Sequence, residues 1–320
     1  MRILVAGASG AIGMRLVPRL IERGHHVVAT ARRPENGEKL RCLGAEAVLL
    51  DGLDAAAVGE TVARAEPDVI VHEMTALAGT RVRRNPDHAL AMTNKLRTCG
   101  TGYLLSAAEA LGVKRLVAQS YTGWTNIQTG SPVKNEDDPF EPRPAKQQAR
   151  ALDAIRYLES AVVTAPLEGV ALRYGTLYGP GVCDDLLNAV RHRRIPIIGD
   201  GNGVWSWIHV DDAAAATVAA IERGRRGIYN VVDDHPAAVS EWLPFLADVL
   251  GAKPPRVLPS WLGRPLVGEP AARHLTVSRG ATNAKARRRL DWRPAWSSWR
   301  EGFRFGLMRS ETSDDTRYAA

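Results

Sequence analysis

The heptapeptide "GASGAIG", Gly7 to Gly13, constrains this chain more than any other stretch. It sets three glycines in a G-x-x-G-x-x-G spacing, within the apolar run "RILVAGA" at one end and "AIGMRLVPRLIERG" at the other. A continuous apolar run that ends in Gly reads as a strand buried on both faces. The second segment carries Ile12, Leu16 and Leu20 on one stripe and closes on Gly24, the pattern of a helix with a glycine stop. A tight glycine turn between such a strand and a helix N-terminus lets backbone approach a pyrophosphate and aims free amides at it. Gly7, Ser9, Gly10, Ala11, Ile12 and Gly13 are therefore the expected cradle of a dinucleotide.

The alternation continues downstream. "HHVVATA", "AEAVLLD", "DVIVHEM", "KRLVAQS" and "GVALRYGTLYG" read as strands two to six. "LRTCGTGYLLSAAEALG" reads as a helix, and so does "DAIRYLESAV", with Leu152, Ile155, Leu158 and Val162 along one stripe. Repeated strand–helix–strand units imply an α/β fold, a Rossmann-type doubly wound parallel sheet. From about Val182 the pattern loosens, and five of the eight Trp lie beyond Ile208. We expect a dinucleotide-binding domain over 1–181 and a smaller C-terminal substrate lobe over 182–309. Within the latter, 208–232 returns to the Rossmann core, its helix capped by Asp211 or Asp212. The polar stretch 310–320 is expected to be a flexible tail.

Composition narrows the class. With 45% hydrophobic and 24% charged residues the chain is an ordinary globular protein. No apolar run approaches the roughly 18 residues needed to span a bilayer, so no membrane partner is expected. A strand beginning at Arg2 argues against a signal peptide, and three scattered Cys fit a reducing compartment, so the expected location is the cytoplasm. The net charge of +7 includes "AKARRR", Ala284 to Arg289, but no aromatic interleaving accompanies it. That run reads as a solvated helix face, and no nucleic acid is expected. His209 precedes Asp211 and Asp212, yet no Cys or further His stands at ligand spacing, so no metal is expected.

The choice of dinucleotide turns on the end of the second strand. A carboxylate there would bind the ribose 2′-hydroxyl of NAD. The position falls near Ala31, and Arg32 and Arg33 follow at once. Two guanidiniums suit a 2′-phosphate, so NADP is expected and NAD is the less favoured cofactor.

These motifs, in this order, resemble the extended or atypical short-chain dehydrogenase/reductase family, which includes NAD-dependent epimerases and dehydratases. "LLDGLDAAAV" is similar to its adenine-contacting segment and implies that role for Asp51 and Gly52. "VIVHEMTAL" is similar to the segment whose backbone lines the cofactor, at Met74 and Thr75. "KRLVAQS", ending in Gln119 and Ser120, resembles the fifth strand. "LRYGTLYGPG" implies that Tyr174, Gly175 and Thr176 stand by the nicotinamide. "DGNGVWSWIHVDDAA" and "NAKARRRLDW" complete the match. A homodimer through a two-helix face is common in that family.

Two departures bear on function. The family's catalysts carry a Tyr and, four residues later, a Lys on one helix, with a Ser or Thr at the end of the fifth strand. Laid on "PAKQQARALD", that pair falls on Ala145 and Ala149. Lys146 is one position away, and Tyr121 stands at the Ser/Thr position between Ser120 and Thr122. Tyr121 is the expected proton donor, with Ser120, Thr122 and Lys146 as the other candidate catalytic groups. The second departure is in the segment where nucleotide-sugar members carry a diphosphate-gripping Arg: here it reads Trp205, with Trp207 two residues on, and their Asn after the sixth strand reads Thr176. Trp124, Trp205 and Trp207 are the expected aromatic lining of the substrate site. The leading expectation is an NADP-dependent oxidoreductase acting on a small, partly apolar carbonyl or hydroxyl compound. Its alternatives are an epimerase or dehydratase on a sugar-like substrate, and a non-catalytic NADP-binding sensor.

Overall fold

The computed structural model describes residues 1–77 and 85–307; the stretch 310–320 lies outside them. Seven strands form one sheet: β1 (Arg2–Ala6), β2 (His26–Ala31), β3 (Glu46–Leu49), β4 (Val69–His72), β5 (Arg115–Tyr121), β6 (Glu168–Tyr174) and β7 (Gly227–Val231). Their order is β7-β6-β5-β4-β1-β2-β3, and every neighbouring pair is parallel. The chain winds outward from β1 to β3, then crosses to β4 on the other side of β1. Ligands of open α/β sheets bind at such a reversal, outside the C-terminal strand ends. The expected Rossmann-type sheet is thus borne out.

Helices cover both faces. On one side α1 (Gly13–Glu22), α2 (Pro34–Cys42) and α6 (Val210–Arg223) bury Leu16, Leu20, Leu40 and Ile221 against Val5, Val71 and Leu172. On the other, α3 (Ala55–Ala65), α4 (Thr101–Ala110) and α5 (Ala149–Thr164) bury Val62, Leu104 and Leu158 against Leu4, Ile70 and Leu116. Leu152, Ile155, Leu158 and Val162 of α5 are all buried, as their stripe requires. A π-helical turn, Leu96–Gly100, leads into α4. The cap of α6 differs from expectation. His209 is the N-cap, its Nδ1 accepting from the Asp211 amide, while Asp211 and Asp212 lie inside the first turn. The ring also meets the Gly306 carbonyl through Nε2 at 3.0 Å.

The remainder of the chain builds a second core beside the strand ends. Tyr178, Trp205, Trp207, Trp242, Trp299 and Phe303 pack there with Leu187, Leu243 and Leu246. Short strand pairs tie this core together: Ile197–Ile198 with Val257–Leu258, and Val204–Trp205 with Ala237–Ala238. A third pair, Trp207–His209 with Thr176–Tyr178, links it to the exit of β6. Among the described residues no helix is long and apolar enough to cross a membrane.

Candidate functional site

The glycine loop is shaped as its spacing requires. Gly7 has φ +90°, and a Cβ there would lie 2.7 Å from the Glu73 carbonyl. A Cβ on Gly13 would lie 2.4 Å from the Ala8 carbonyl oxygen, so α1 could not seat against the loop. The Gly10 amide closes the turn on the Gly7 carbonyl at 3.0 Å, and the Gly7 amide donates to Thr30 Oγ1 at 3.1 Å. Ile12 is the N-cap of α1, and no side chain caps it; the Met14 and Arg15 amides bond the Gly10 and Ile12 carbonyls, so the amides offered to an anion are those of the loop just before them, Ala11 to Gly13. No acid stands in the first turn of α1 to oppose one. Ser9 is half-buried, and Gly10 and Ala11 are exposed. The residues present fit a dinucleotide pyrophosphate.

The other expected cofactor residues surround this loop. Arg32 and Arg33 are exposed directly beyond β2, with Arg33 as the N-cap of α2. Asp51 is exposed and accepts from the Leu53 amide, which shapes the turn after β3. Gly52 is buried beneath Met74; a Cβ there would lie 2.3 Å from the thioether sulfur. Thr75 and Gln119 are half-buried.

The end of β5 separates three residues that the sequence groups together. Alternation along a strand sends neighbours to opposite faces. The Ser120 hydroxyl donates to Glu159 Oε1 at 2.6 Å, and Glu159 is held by Arg173 through bonds of 2.8 and 2.7 Å. All three are buried. Ser120 is therefore a structural partner of an ion pair, a correction to its candidacy as a catalytic group. Thr122 is also tied down: its amide donates to the Tyr174 carbonyl, and its hydroxyl accepts from Asn126 Nδ2 at 3.0 Å. Tyr121 points the other way. Its phenol curls back over Gly123, where a Cβ would be 2.8 Å from the hydroxyl, and it hydrogen-bonds the Thr176 side chain. Burial pushes this phenol up to about 12, against the pull of Thr176 and of the Arg97 charge. The Trp124 ring stands 6.2 Å from the Tyr121 ring.

Arg97 is the residue that sequence reasoning missed. It lies in the π-helical turn, is 7% exposed, and its Nη1 has no hydrogen-bond partner among the described residues. Burial lowers its pKa to about 10, so it remains charged at neutral pH. Lys146, in contrast, is exposed on the 3-10 turn Lys146–Gln148. The cation beside the Tyr121 phenol is Arg97, not Lys146. A π turn commonly marks a functional site, yet no side-chain pattern in the sequence announces one, so nothing pointed to Arg97 in advance.

Tyr174 and two of the tryptophans also depart from expectation. Tyr174 is 1% exposed and points into the core, its hydroxyl donating to Glu73 Oε1 at 3.1 Å and meeting Thr217 Oγ1 at 2.6 Å. Burial pushes the Glu73 carboxyl up to about 8. Thr176, two residues on, is the one that reaches Tyr121. Trp207 is fully buried, edge-on to Trp242 and Phe303 with ring centroids at 4.9 and 5.0 Å. Trp205 stacks on His274 at 4.0 Å and donates its indole N–H to the His274 carbonyl. Both belong to the second core and not to a ligand-facing wall, because their rings are spent on each other and on residues far along the chain.

The glycine cradle, the Tyr121–Thr176–Arg97 group and the Trp124 ring thus lie along one edge of the sheet, and comparison with known proteins places the fold. The profile of the NAD dependent epimerase/dehydratase family matches residues 3–232. A 3-diazoavenalumate denitrifying reductase from Streptomyces sp is 43% identical over 307 residues, covering 94% of this chain and 99% of that protein. A 2-alkyl-3-oxoalkanoate reductase from Stenotrophomonas maltophilia (strain K279a) is 29% identical over 269 residues, 80% of this chain and 77% of that one. Among solved structures, MoeE5 in complex with UDP-glucuronic acid and NAD superposes with a TM-score of 0.71 at 26% identity, covering 96% of this chain and 98% of that one.

Proposed function

This chain belongs to the NAD dependent epimerase/dehydratase family, and from that premise we propose that it is an NADP-dependent reductase that removes dinitrogen from a small aromatic diazo compound. One observation carries the reading: Ala145 and Ala149 stand where the resemblance calls for the Tyr and Lys that handle a proton. A reaction that must protonate a carbonyl oxygen suffers from that loss. A diazo group does not need that proton. Ar–N₂⁺ and H⁻ give Ar–H and N₂, with no oxygen to be protonated as the bond forms. The near full-length similarity to a denitrifying reductase supports the same substrate class. The reduced nicotinamide, when bound, supplies the hydride. The chain's own residues do the rest: Gly7–Gly13 would hold the pyrophosphate, Arg32 and Arg33 the 2′-phosphate, and Trp124 would flank the arene.

The test is NADPH consumption and dinitrogen release with an aryl diazo substrate such as 3-diazonio-4-hydroxybenzoate, corrected for the reaction without enzyme. Enzyme-dependent release of one N₂ per NADPH is expected. Absence of that release, with brisk reduction of aldehydes and ketones instead, overturns the reading in favour of a carbonyl reductase. That second reading has its own support in Tyr121, a half-buried phenol that keeps its proton up to about 12 and is oriented by Thr176.

A further inference from the structure

We infer that Arg97 anchors the carboxylate of the aromatic substrate, with the Tyr121 hydroxyl as the second donor. The inference rests on the reading of the site as one for a small aromatic compound. It starts from a buried charge that nothing in the described chain completes. Arg97 is more than nine-tenths buried, its Nη1 lacks a partner among the described residues, and the titrating side chain beside its charge is a phenol, not a carboxylate. A guanidinium in a dry site is unfavourable unless an anion meets it. Its planar fork of donors matches a carboxylate two bonds at a time.

The surroundings point to the substrate rather than the cofactor. Arg97 lies by His72 at the end of β4 and by Tyr121 at the end of β5, and the side chain its charge acts on is the candidate proton donor of the substrate site. Asn94, one turn earlier, and Gln147, between the two alanines, carry further buried side-chain oxygens without partners. The segments bearing Asn94, Arg97 and Gln147 all pack on α5. That helix begins at Ala149, and with Ala at 145 and 149 no second cation stands at either position to compete with Arg97 for an anion. The anchor also makes chemical sense for a diazo substrate. A bare diazonium cation would be repelled by Arg97, whereas one balanced by a carboxylate would be drawn in.

The test is calorimetry on the full chain without cofactor, using cinnamate and its neutral isostere cinnamamide as probes. The wild type should prefer cinnamate by about one to two decades in dissociation constant, the range of a charge-assisted bond. In Arg97→Gln that preference should shrink to about twofold, while NADPH affinity changes by no more than about twofold, since a group that does not touch the cofactor contributes nothing to its binding. Equal binding of acid and amide by the wild type overturns the anchor, and this arm needs no variant to fold. Loss of NADPH affinity in Arg97→Gln with the acid preference intact also overturns it and assigns Arg97 to a cofactor oxyanion. A wild type that prefers cinnamate but releases no dinitrogen leaves the anchor standing and rejects the diazo chemistry alone.

Discussion

At Tyr121 burial and charge pull in opposite directions. Desolvation disfavours the phenolate, Arg97 and Thr176 favour it, and burial wins, leaving a protonated phenol at every physiological pH. The two reactions use that proton differently, so Tyr121→Phe separates them. If a carbonyl is reduced, turnover should fall by about 10²–10⁴, the range for a general acid. If a diazo group is reduced, turnover should stay within about tenfold and KM should rise, because the hydroxyl then only helps to hold substrate. Steady-state kinetics on a confirmed substrate decides. The cofactor choice is also a residue-scale matter. Arg32 and Arg33 should make NADPH bind about one to two decades more tightly than NADH, and Arg32→Ala/Arg33→Ala should erase the difference. Fluorescence titration with both nucleotides checks this, and equal wild-type affinities would refute the 2′-phosphate role. These arginines were legible because a charge replaces a charge at a known distance from the glycines. Arg97 was not, because its burial depends on a π turn and on the packing of α5, and neither leaves a mark in the spacing of side chains.

At the scale of elements, β4 and β6 set a polar group inside the sheet's cover. Glu73, just past β4, Tyr174 at the end of β6 and Thr217 of α6 form a buried chain of hydroxyls around one carboxyl. Its folded value of about 8 lies above the unfolded value of 4.5. The folded protein therefore holds a proton that the unfolded chain has lost, and stability from this group falls as pH rises from about 4.5 to about 8. Above that range both states are ionised and the slope vanishes. Glu73→Gln keeps the shape without the titration, so the variant should gain on the wild type by a few kcal/mol between pH 5 and pH 8. Urea denaturation of both proteins at several pH values measures it; parallel curves would show that Glu73 ionises freely in the fold. His72 and His274, lowered by burial to about 4 and about 3, act in the opposite sense below about 6.5, and the paired comparison cancels them. The strands themselves were readable from apolar runs, but which face Tyr174 takes was not. Continuous apolar strands hide the alternation that would tell inside from outside.

Across the whole molecule, the second core decides what the site can admit. Trp205 and Trp207 occupy the segment where the resemblance places a diphosphate-gripping Arg, and their rings are consumed by packing with Trp242, His274 and Phe303. A cleft of about 540 Å³ nearby does carry Arg143, Arg264 and Arg273. Arg273, though, is held by Gln128 and Glu141. UDP-glucose should therefore bind the NADP-loaded protein no more tightly than millimolar, about 4 kcal/mol or less of binding free energy. A micromolar constant by calorimetry would show that the cleft grips phosphates and would return a nucleotide sugar as substrate. The sheet was legible end to end because its signals are local: an apolar run, a glycine, a helical stripe. The second core was not, because Trp205 meets His274 across 69 positions and no periodicity reports a contact of that separation.

Ala145 is 2% exposed, and that small number bears on redesign. A phenol introduced there would enter a space already closed, at about 1–3 kcal/mol for the overpacking. The Ser or Thr that the resemblance calls for on β5 would still be missing, since Tyr121 stands in its place and the adjacent Ser120 is bonded to Glu159. Placing Tyr and Lys at 145 and 149 therefore does not by itself assemble a catalytic group, because the space at 145 is closed and the serine on β5 already has a partner.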